Sequence, residues 1–125
     1  MNNIKIFEND LPEDIDLSEE KVIGIDNEAL GLVLGRDPLT LVQLGLESKK
    51  FLLIKLNRNT YAAPNLCKVL SNPKSGLILD EPTNDLDIDT LDLVESILSN
   101  YNGTLVVVSH NRDFLDKLVN KILFF

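Results

Sequence analysis

The apolar positions in the first half of the chain fall into four short runs that predict strands. These runs are rich in Ile, Leu and Val, and they lie near residues 4–7, 21–27, 39–45 and 50–56. Turn-like residues 45–50 separate the third run from the fourth, so consecutive strands are expected to pair. The last three runs therefore predict an antiparallel β-meander.

Apolar positions in the second half alternate between strand-like and helix-like spacing. Pro64 fits the first turn of a helix that ends near Pro73. The elements that follow are a strand at 77–80, a helix at 88–100, a strand at 104–108, a helix at 111–119 and a terminal strand from Ile122 to Phe125. One face of the 88–100 helix collects the apolar residues Ile88, Leu91, Val94, Ile97, Leu98 and Tyr101. Strands that alternate with helices imply a parallel sheet, so we predict an α/β fold in which the meander is followed by β-α-β-α-β.

The stretch from Leu77 to Asp87 carries the most specific chemistry. Its apolar run delivers two adjacent carboxylates, Asp80 and Glu81, to the end of a strand, and Pro82 stops the strand from continuing. Open α/β sheets hold their ligands at this end of their strands. His110 follows the next strand. A lone acidic pair is usually a solvated turn, but the whole string followed by this histidine is far from a chance pattern.

These motifs resemble the second half of an ABC-type ATPase site, and more narrowly the ABC-F class of soluble tandem ATPases that act on ribosomes. The resemblance implies that Asp80 holds Mg²⁺ through water, that Glu81 acts on the attacking water and that His110 contacts the γ-phosphate. It makes residues 84–87 the D-loop, with Asp87 beside the nucleotide. Asn111 departs from the Asp that this family usually has after the histidine.

The phosphate-binding half of that ATPase site is missing from the sequence. A phosphate cradle needs a glycine-rich loop that leads into a helix and supplies a Lys to the phosphates, and no Gly in this chain is followed by Lys. The Leu-Ser-Gly-Gly signature of the family is also missing, and residues 56–61 stand where it is expected. The resemblance covers residues 70–125, so ATP is implied by the family without a P-loop to bind it.

A second acidic pair, Asp26 and Glu28, lies in the strand at 21–27 and its continuation. Side chains alternate along a strand, so these two carboxylates are expected on one face, where they can share a divalent cation. A bare pair of this kind is usually a solvated strand end. Its surroundings resemble the start of ribonuclease D-like DEDD 3′–5′ exonucleases, in the strings 25–32, 36–44 and 61–70.

The exonuclease resemblance makes Asp26 and Glu28 ligands of a two-metal site that activates water for phosphodiester hydrolysis. Asn27 and Ala29 depart from the Thr residues that are usual at these positions. The second and third motifs of the family, each supplying another Asp, lie beyond residue 75 and are missing here. We therefore expect Mg²⁺ binding to be weak.

Two families thus meet in one chain of 125 residues. Residues 70–74 are a plausible stretch of both families, so we predict an exonuclease-like segment at 1–74 and an ATPase-like segment at 75–125. The element order is also that of an RNase H-like mixed sheet, in which the strand at 77–80 replaces a nuclease strand. This order allows the two segments to pack as one domain.

Composition and charge limit the classes of partner that the chain is expected to bind. The 44% hydrophobic and 26% charged content is ordinary for a globular chain, and the net charge of −8 is concentrated in residues 1–20 and 80–92. A thin set of basic residues is available to nucleic acid: Lys49, Lys50, Lys55, Arg58, Lys68 and Lys74. Cys67, the single cysteine, fits a small core position in a helix. No signal peptide or membrane-length apolar run is present, so we expect a cytoplasmic location without a membrane partner.

Three functions are consistent with these features. The first is a hybrid fragment that lacks complete catalysis of either kind. The second is an ABC-F-like ATPase component completed by a partner chain that supplies the missing motifs. The third is a Mg²⁺-dependent 3′–5′ exonuclease acting on RNA, in which Asp80 or Asp85 joins the metal site. By resemblance, RNA or the ribosome is the expected partner, and the apolar terminal strand predicts self-association.

Overall fold

The computed structural model describes residues 3–29, 39–57, 59–60, 62–84 and 88–123. Within these ranges, strands and helices follow the order that the apolar pattern predicts. The strands are β1 (Ile4–Asn9), β2 (Val22–Ala29), β3 (Leu39–Leu46), β4 (Phe51–Leu56), β5 (Gly76–Asp80) and β6 (Leu105–Val108). The helices are α1 (Pro64–Leu70), α2 (Ile88–Ser99) and α3 (Arg112–Leu118). Among these described helices, none has the length and apolar character needed to cross a membrane.

The six strands form one mixed sheet in the order β1-β4-β3-β2-β5-β6. Strands β2, β3 and β4 pair antiparallel, which confirms the predicted meander. Strand β5 pairs parallel with β2, and β6 pairs parallel with β5. The meander followed by two parallel strands beside its first strand is the RNase H-like order, so the predicted fold class is confirmed. At the opposite edge, β1 pairs parallel with β4.

One face of this sheet carries the main hydrophobic core. Alternate residues of each strand point to it, because side chains along a strand alternate between faces. Ile23, Leu44 and Ile54 are fully buried there, and Leu77 of β5 belongs to the same cluster. Leu66 joins the cluster from α1. The core therefore includes side chains from both predicted segments.

Hydrogen bonds connect the segment between α1 and β5 to Glu20, which precedes β2, and to Tyr101, which follows α2. Ser75, which is 1% exposed, donates from Oγ to the Glu20 carbonyl at 2.9 Å. The Tyr101 hydroxyl lies 2.6 Å from the Ser75 carbonyl and 2.9 Å from the Asn72 carbonyl, and its single hydrogen serves one of them at a time. Burial raises the pKa of the Tyr101 hydroxyl. We call the contacts of the Tyr101 hydroxyl with the Asn72 and Ser75 carbonyls the tyrosine latch.

One prediction about a buried helix residue was wrong, and one residue of a predicted apolar helix face is largely exposed. Cys67 is exposed, because α1 turns Leu66, Val69 and Leu70 toward the core and places the cysteine on the neighbouring face. Ile97 is 60% exposed, because it lies at the edge of the apolar stripe of α2. Leu91, Val94, Leu98 and Tyr101 of that stripe are half-buried, and the side chain of Ile88 lies outside the described part of the chain.

The predicted terminal strand was also wrong for the residues that the structure describes. Residues 119–123 form no strand, and β6 ends the sheet on that side. Ile122 is 42% exposed and Leu123 is 78% exposed, so an apolar sequence alone did not bring this segment into the sheet. Phe124 and Phe125, which complete the predicted strand, lie outside the described residues. The described part of this segment therefore gives no support to self-association through a terminal strand.

Candidate functional site

The carboxyl end of β2 presents the first acidic pair. Asp26 and Glu28 are both exposed, and they occupy the face opposite the buried Ile23, as the alternation of the strand predicts. One Asp26 carboxylate oxygen accepts a hydrogen bond from the Asn27 amide at 2.8 Å. Both side chains are exposed, so a ligand can reach their oxygens from solvent.

The register between β2 and β5 carries both strands toward acidic residues. Ile23 pairs with Leu77 and Ile25 pairs with Leu79, which is the last pair between the two strands, and Asp26 and Asp80 each follow that pair by one residue. Neighbouring strands lie roughly 4.8 Å apart, and residues paired in register share a face. Asp80 is exposed, like Asp26. Asp26 and Asp80, one from each half of the chain, thus extend from the same end of the paired strands.

Glu81 leaves the strand in an unusual backbone conformation. Its φ is 44°, in the left-handed region that non-glycine residues rarely occupy, and its amide donates to the Val108 carbonyl at 2.8 Å. Its side chain is 19% exposed, and the buried Oε1 atom has no hydrogen-bond partner. The His110 Nε2 atom lies 3.4 Å from Oε1, a distance that makes an ion pair only when the imidazole is protonated. Glu81 and His110 are therefore in contact.

Main-chain and side-chain contacts fix the loop that carries His110. The His110 amide donates to Glu81 Oε2 at 3.3 Å, and the Asn111 amide donates to Ser109 Oγ at 3.1 Å. The Asn111 side chain in turn accepts from the Phe114 amide at 3.0 Å and caps α3. Asn and Asp cap helices about equally well, so the departure at Asn111 preserves this function. In the sequence, the position of Asn111 directly before a helical pattern is the signal that could have identified it as a helix cap.

The structure therefore gathers most of the predicted site residues at one edge of the sheet. Asp80 ends β5, Glu81 follows it, His110 follows β6, and Asp26 lies in β2 one residue beyond the last pair with β5. Asp85 and Asp87 lie outside the described residues. Within the described ranges, no group of three or more acidic, His or Cys side chains is arranged to hold a metal by itself. Any cation at this edge therefore depends on water for most of its ligands.

Most of the predicted basic residues lie away from this edge. Lys49 and Lys50 occupy the turn between β3 and β4, and Lys74 precedes β5, which places all three at the amino ends of β2 and β5. Lys55 lies at the carboxyl end of β4, where its Nζ atom pairs with Glu8 Oε1 at 3.0 Å. Arg58 lies outside the described residues. These residues therefore do not form one continuous track toward the carboxylates.

A surface groove of 680 Å³ lies between residues 11–18 and α1. Glu13, Asp16 and Lys68 contribute its charged groups, and hydrogen bonds from Ser18 hold the pKa of Asp16 below its ordinary value. The groove contains none of the predicted catalytic or metal-binding residues, although Asn65 of the exonuclease-like string 61–70 lines it. The chemistry predicted from the sequence therefore lies at the sheet edge, not in this groove.

Curated relatives match about half of the chain and carry ATP-binding names. ATP-binding protein Uup of Caulobacter vibrioides is 53% identical over 58 residues, which is 46% of this chain and 10% of that protein. ATP-binding protein Uup of Escherichia coli is 47% identical over 60 residues, which is 48% of this chain and 9% of that protein. The matched stretch is thus about a tenth of the length of these relatives. No protein-family profile matches the chain.

Solved structures add the second resemblance. NrnC of Brucella melitensis has a TM-score of 0.57 and 28% identity, over 83% of this chain and 48% of that chain. The same protein bound to pGG has a TM-score of 0.53 and 33% identity, over 60% of this chain and 36% of that chain. The first alignment extends beyond what residues 1–74 alone supply. The chain thus resembles ABC-F ATP-binding proteins over about half its length and a nuclease fold over most of it, which confirms both resemblances.

Proposed function

We propose that the chain is a hybrid module, exonuclease-like at 1–74 and ATPase-like at 75–125, without a complete catalytic site of either kind. In this proposal, its remaining chemistry is weak binding of a divalent cation at the carboxyl ends of β2 and β5. The observation that carries the proposal is the parallel register of β2 and β5, whose last pair is Ile25 with Leu79 and which, extended by one residue, sets Asp26 beside Asp80. Similarity to an NrnC structure with bound Mg²⁺ supports the choice of cation.

The donor set at this edge fits Mg²⁺ or Mn²⁺ as a loosely held ion. Both ions prefer carboxylate oxygens and water, and Mg²⁺ in proteins often keeps several waters beside one or two carboxylates. Asp26 and Asp80 supply these carboxylates, and Glu28 follows on the same face of β2. A bound cation would supply Lewis-acid polarisation of a phosphate oxygen. The role of the chain in this site is to hold the Asp26 and Asp80 carboxylates at a fixed spacing.

A titration with Mn²⁺ tests the cation site. We expect a dissociation constant of about 1 mM, near the weak end of oxygen-ligated sites. Asp26→Asn and Asp80→Asn are each expected to raise it roughly tenfold, since each removes one of the two adjacent carboxylates. Calorimetry or Mn²⁺ paramagnetic resonance gives the constants.

A matched control separates ligation from net charge. Glu19→Gln removes the same charge from an exposed side chain before β2 begins, and we expect it to leave the constant unchanged. If Asp26→Asn has no effect while binding persists, the cation lies elsewhere, most plausibly in the acidic stretch 80–92. That result would contradict the proposed site.

The residues present do not fit ATP as a tightly bound nucleotide. Phosphate recognition by backbone amides needs a glycine-rich loop at a helix N-terminus, and the sequence contains no such loop. We expect ATP binding weaker than about 1 mM, since most of the binding donors are missing. We also expect Glu81→Gln to leave this binding unchanged, whereas in a complete site the same change would trap the nucleotide.

Calorimetry with Mg²⁺ and ATP measures this directly, with an intact ABC-F relative as the positive control. A micromolar dissociation constant for this chain alone would overturn the hybrid proposal. It would favour the second candidate, an ATPase component completed by a partner chain. The contact between Glu81 and His110 is the observation that favours that candidate, and nucleotide binding that appears only with a second polypeptide would establish it.

A Mg²⁺-dependent 3′–5′ exonuclease is the remaining candidate. The parallel pairing of β2 with β5, which carries Asp26 and Asp80 at the same end of the strands, favours it, as does similarity to a nuclease structure bound to pGG. RNA is the substrate class to assay, and the ribosome is the partner to assay for the ATPase-like segment. Release of mononucleotides from a short RNA, abolished by Asp26→Asn and by Asp80→Asn, would replace the hybrid proposal with this one.

A further inference from the structure

Gln43 is a polar residue in the middle of an otherwise apolar stretch of β3. It is the single glutamine of the chain, and its neighbours Val42 and Leu44 are both buried in the core. Because side chains alternate along a strand, Gln43 points to the face opposite the core. It is half-buried there. A polar group that loses contact with water costs free energy unless it gains a partner, so the neighbours of Gln43 on this face determine its role.

The register of the sheet gives Gln43 two cross-strand neighbours. It pairs with Asp26 of β2 on one side and with Leu53 of β4 on the other. Residues directly opposite each other in antiparallel strands share a face, and their Cβ atoms lie about 4.5 to 5.5 Å apart. The side chain of Leu53 has no polar atom. Of the two directly opposite residues, Asp26 is therefore the one that offers a polar contact.

The second carboxylate of the acidic pair lies diagonally from Gln43. Glu28 is two residues beyond Asp26 in β2 and pairs with Leu41 of β3. Diagonal neighbours on one face are about 7 to 8 Å apart, which is within reach of long side chains. Gln43 thus stands opposite one predicted metal ligand and diagonal to the other. These relations lie within the pairing of β2 with β3, so they do not depend on the position of β5.

We propose that Gln43 supplies its amide oxygen to the cation that Asp26 holds, an inference that rests on the proposed function. Side-chain carbonyl oxygens are among the donors that suit hard divalent cations such as Mg²⁺ and Mn²⁺. The amide also carries two N–H donors, which can bond the Asp26 carboxylate from the opposite strand. Because the amide is neutral, it adds an oxygen without adding charge, as expected for a loosely bound ion.

Mn²⁺ titration of two Gln43 variants of the full chain tests this role. Gln43→Met keeps an unbranched side chain of similar length but removes its oxygen, and we expect the dissociation constant to rise about threefold. Gln43→Glu keeps the shape and supplies a carboxylate. We expect it to lower the constant roughly tenfold, because the charge of the ligands tunes affinity at oxygen-ligated sites. Far-UV circular dichroism checks that both variants keep the fold.

Asn3→Asp is the matched control for added charge. It makes the same change from amide to carboxylate at an exposed residue before β1, at the end of the sheet away from Asp26. We expect it to leave the dissociation constant unchanged. An equal gain in affinity from Asn3→Asp and from Gln43→Glu would show that net charge alone tightens binding, and it would overturn the assignment of Gln43.

Nuclear magnetic resonance gives a second measurement that leaves Gln43 unaltered. Because the chain has one glutamine, selective ¹⁵N labelling of the glutamine side-chain amide reports on Gln43 alone. We expect Mg²⁺ to shift this signal with the same midpoint as the binding curve, and Mn²⁺ to broaden it. Asp26→Asn is expected to reduce both effects. A Gln43 amide that serves the sheet structure only would not respond to Mg²⁺, and that result would overturn the proposal.

The outcomes separate the role of Gln43 from the proposed cation site. If Asp26→Asn weakens Mn²⁺ binding while Gln43→Met leaves it unchanged, the cation site stands and the role of Gln43 is overturned. If the unaltered chain binds no Mn²⁺ at millimolar concentrations, the site and the role of Gln43 fail together. A weaker constant with Gln43→Met, a tighter one with Gln43→Glu and an unchanged one with Asn3→Asp would establish Gln43 as part of the site.

Discussion

Leu77→Ala is expected to lower the free energy of unfolding of the entire chain by about 3 kcal/mol. Leu77 lies on β5, is 4% exposed and packs in the same cluster as Ile23 and Leu44. The substitution removes three buried carbon atoms and leaves a cavity between the two segments of the chain. Because the core is shared, the loss should appear in the unfolding of β2 and β3 as well as of β5.

Far-UV circular dichroism in denaturant measures this loss, since the chain contains no Trp to report by fluorescence. Protein concentration is held constant, because any association shifts apparent stability. Ile97→Ala removes a side chain that is 60% exposed on α2, and we expect a change within about 0.5 kcal/mol. Hydrogen exchange that shows β3 protected as in the unaltered chain, while β5 opens, would mean that the two segments fold separately.

Gly103→Ala is expected to destabilise the chain by about 2 to 4 kcal/mol. A Cβ atom at this position would lie 2.5 Å from the Tyr101 hydroxyl oxygen and 2.6 Å from two ring carbons. The ring must move, and its movement breaks the tyrosine latch to the Asn72 and Ser75 carbonyls. The cost therefore combines overpacking with a lost hydrogen bond, and thermal or chemical unfolding measures it.

A double-mutant cycle isolates the clash. Tyr101→Phe removes only the hydroxyl and is expected to cost about 1 kcal/mol. In a Tyr101→Leu background, where the ring is gone, Gly103→Ala is expected to cost less than about 1 kcal/mol. An equal cost for Gly103→Ala in both backgrounds would place its effect in the local backbone and not in the latch.

Local patterns in the sequence were sufficient to predict the elements and their order. The apolar run ending at Pro82 identified β5, and Pro64 marked the start of α1, because both signals act over a few residues. The prediction that Cys67 lies in the core was wrong because local patterns fix the position of a short helix better than its rotation. A helix of seven residues buries a narrow stripe, and one residue of error in its phase moves a side chain from core to solvent.

Long-range pairing was harder to predict than local structure. The sequence predicted that Asp26 and Glu28 share a face, but it could not fix which strand lies beside them. The contact of β5 with β2 depends on the whole sheet, and only that contact brings Asp80 to Asp26. The segment at Ile122 is apolar but lies outside the sheet. An apolar sequence therefore becomes a buried strand only where a neighbouring strand is available to pair with it.

The contact between β2 and β5 also bears on how new proteins arise from old ones. Main-chain hydrogen bonds between residues 22–25 and 76–79 hold the two strands together, and aliphatic side chains fill the space beneath them. Such a contact requires a strand of sufficient length with apolar side chains at alternate positions. It does not depend on the protein from which that strand came. Under the proposed hybrid origin, genetic exchange succeeds with pieces smaller than a domain when the cut falls in a turn ahead of a parallel strand. Grafting the strand–helix–strand portion of an unrelated α/β protein after Ser75 is a direct way to measure how permissive this acceptor edge is.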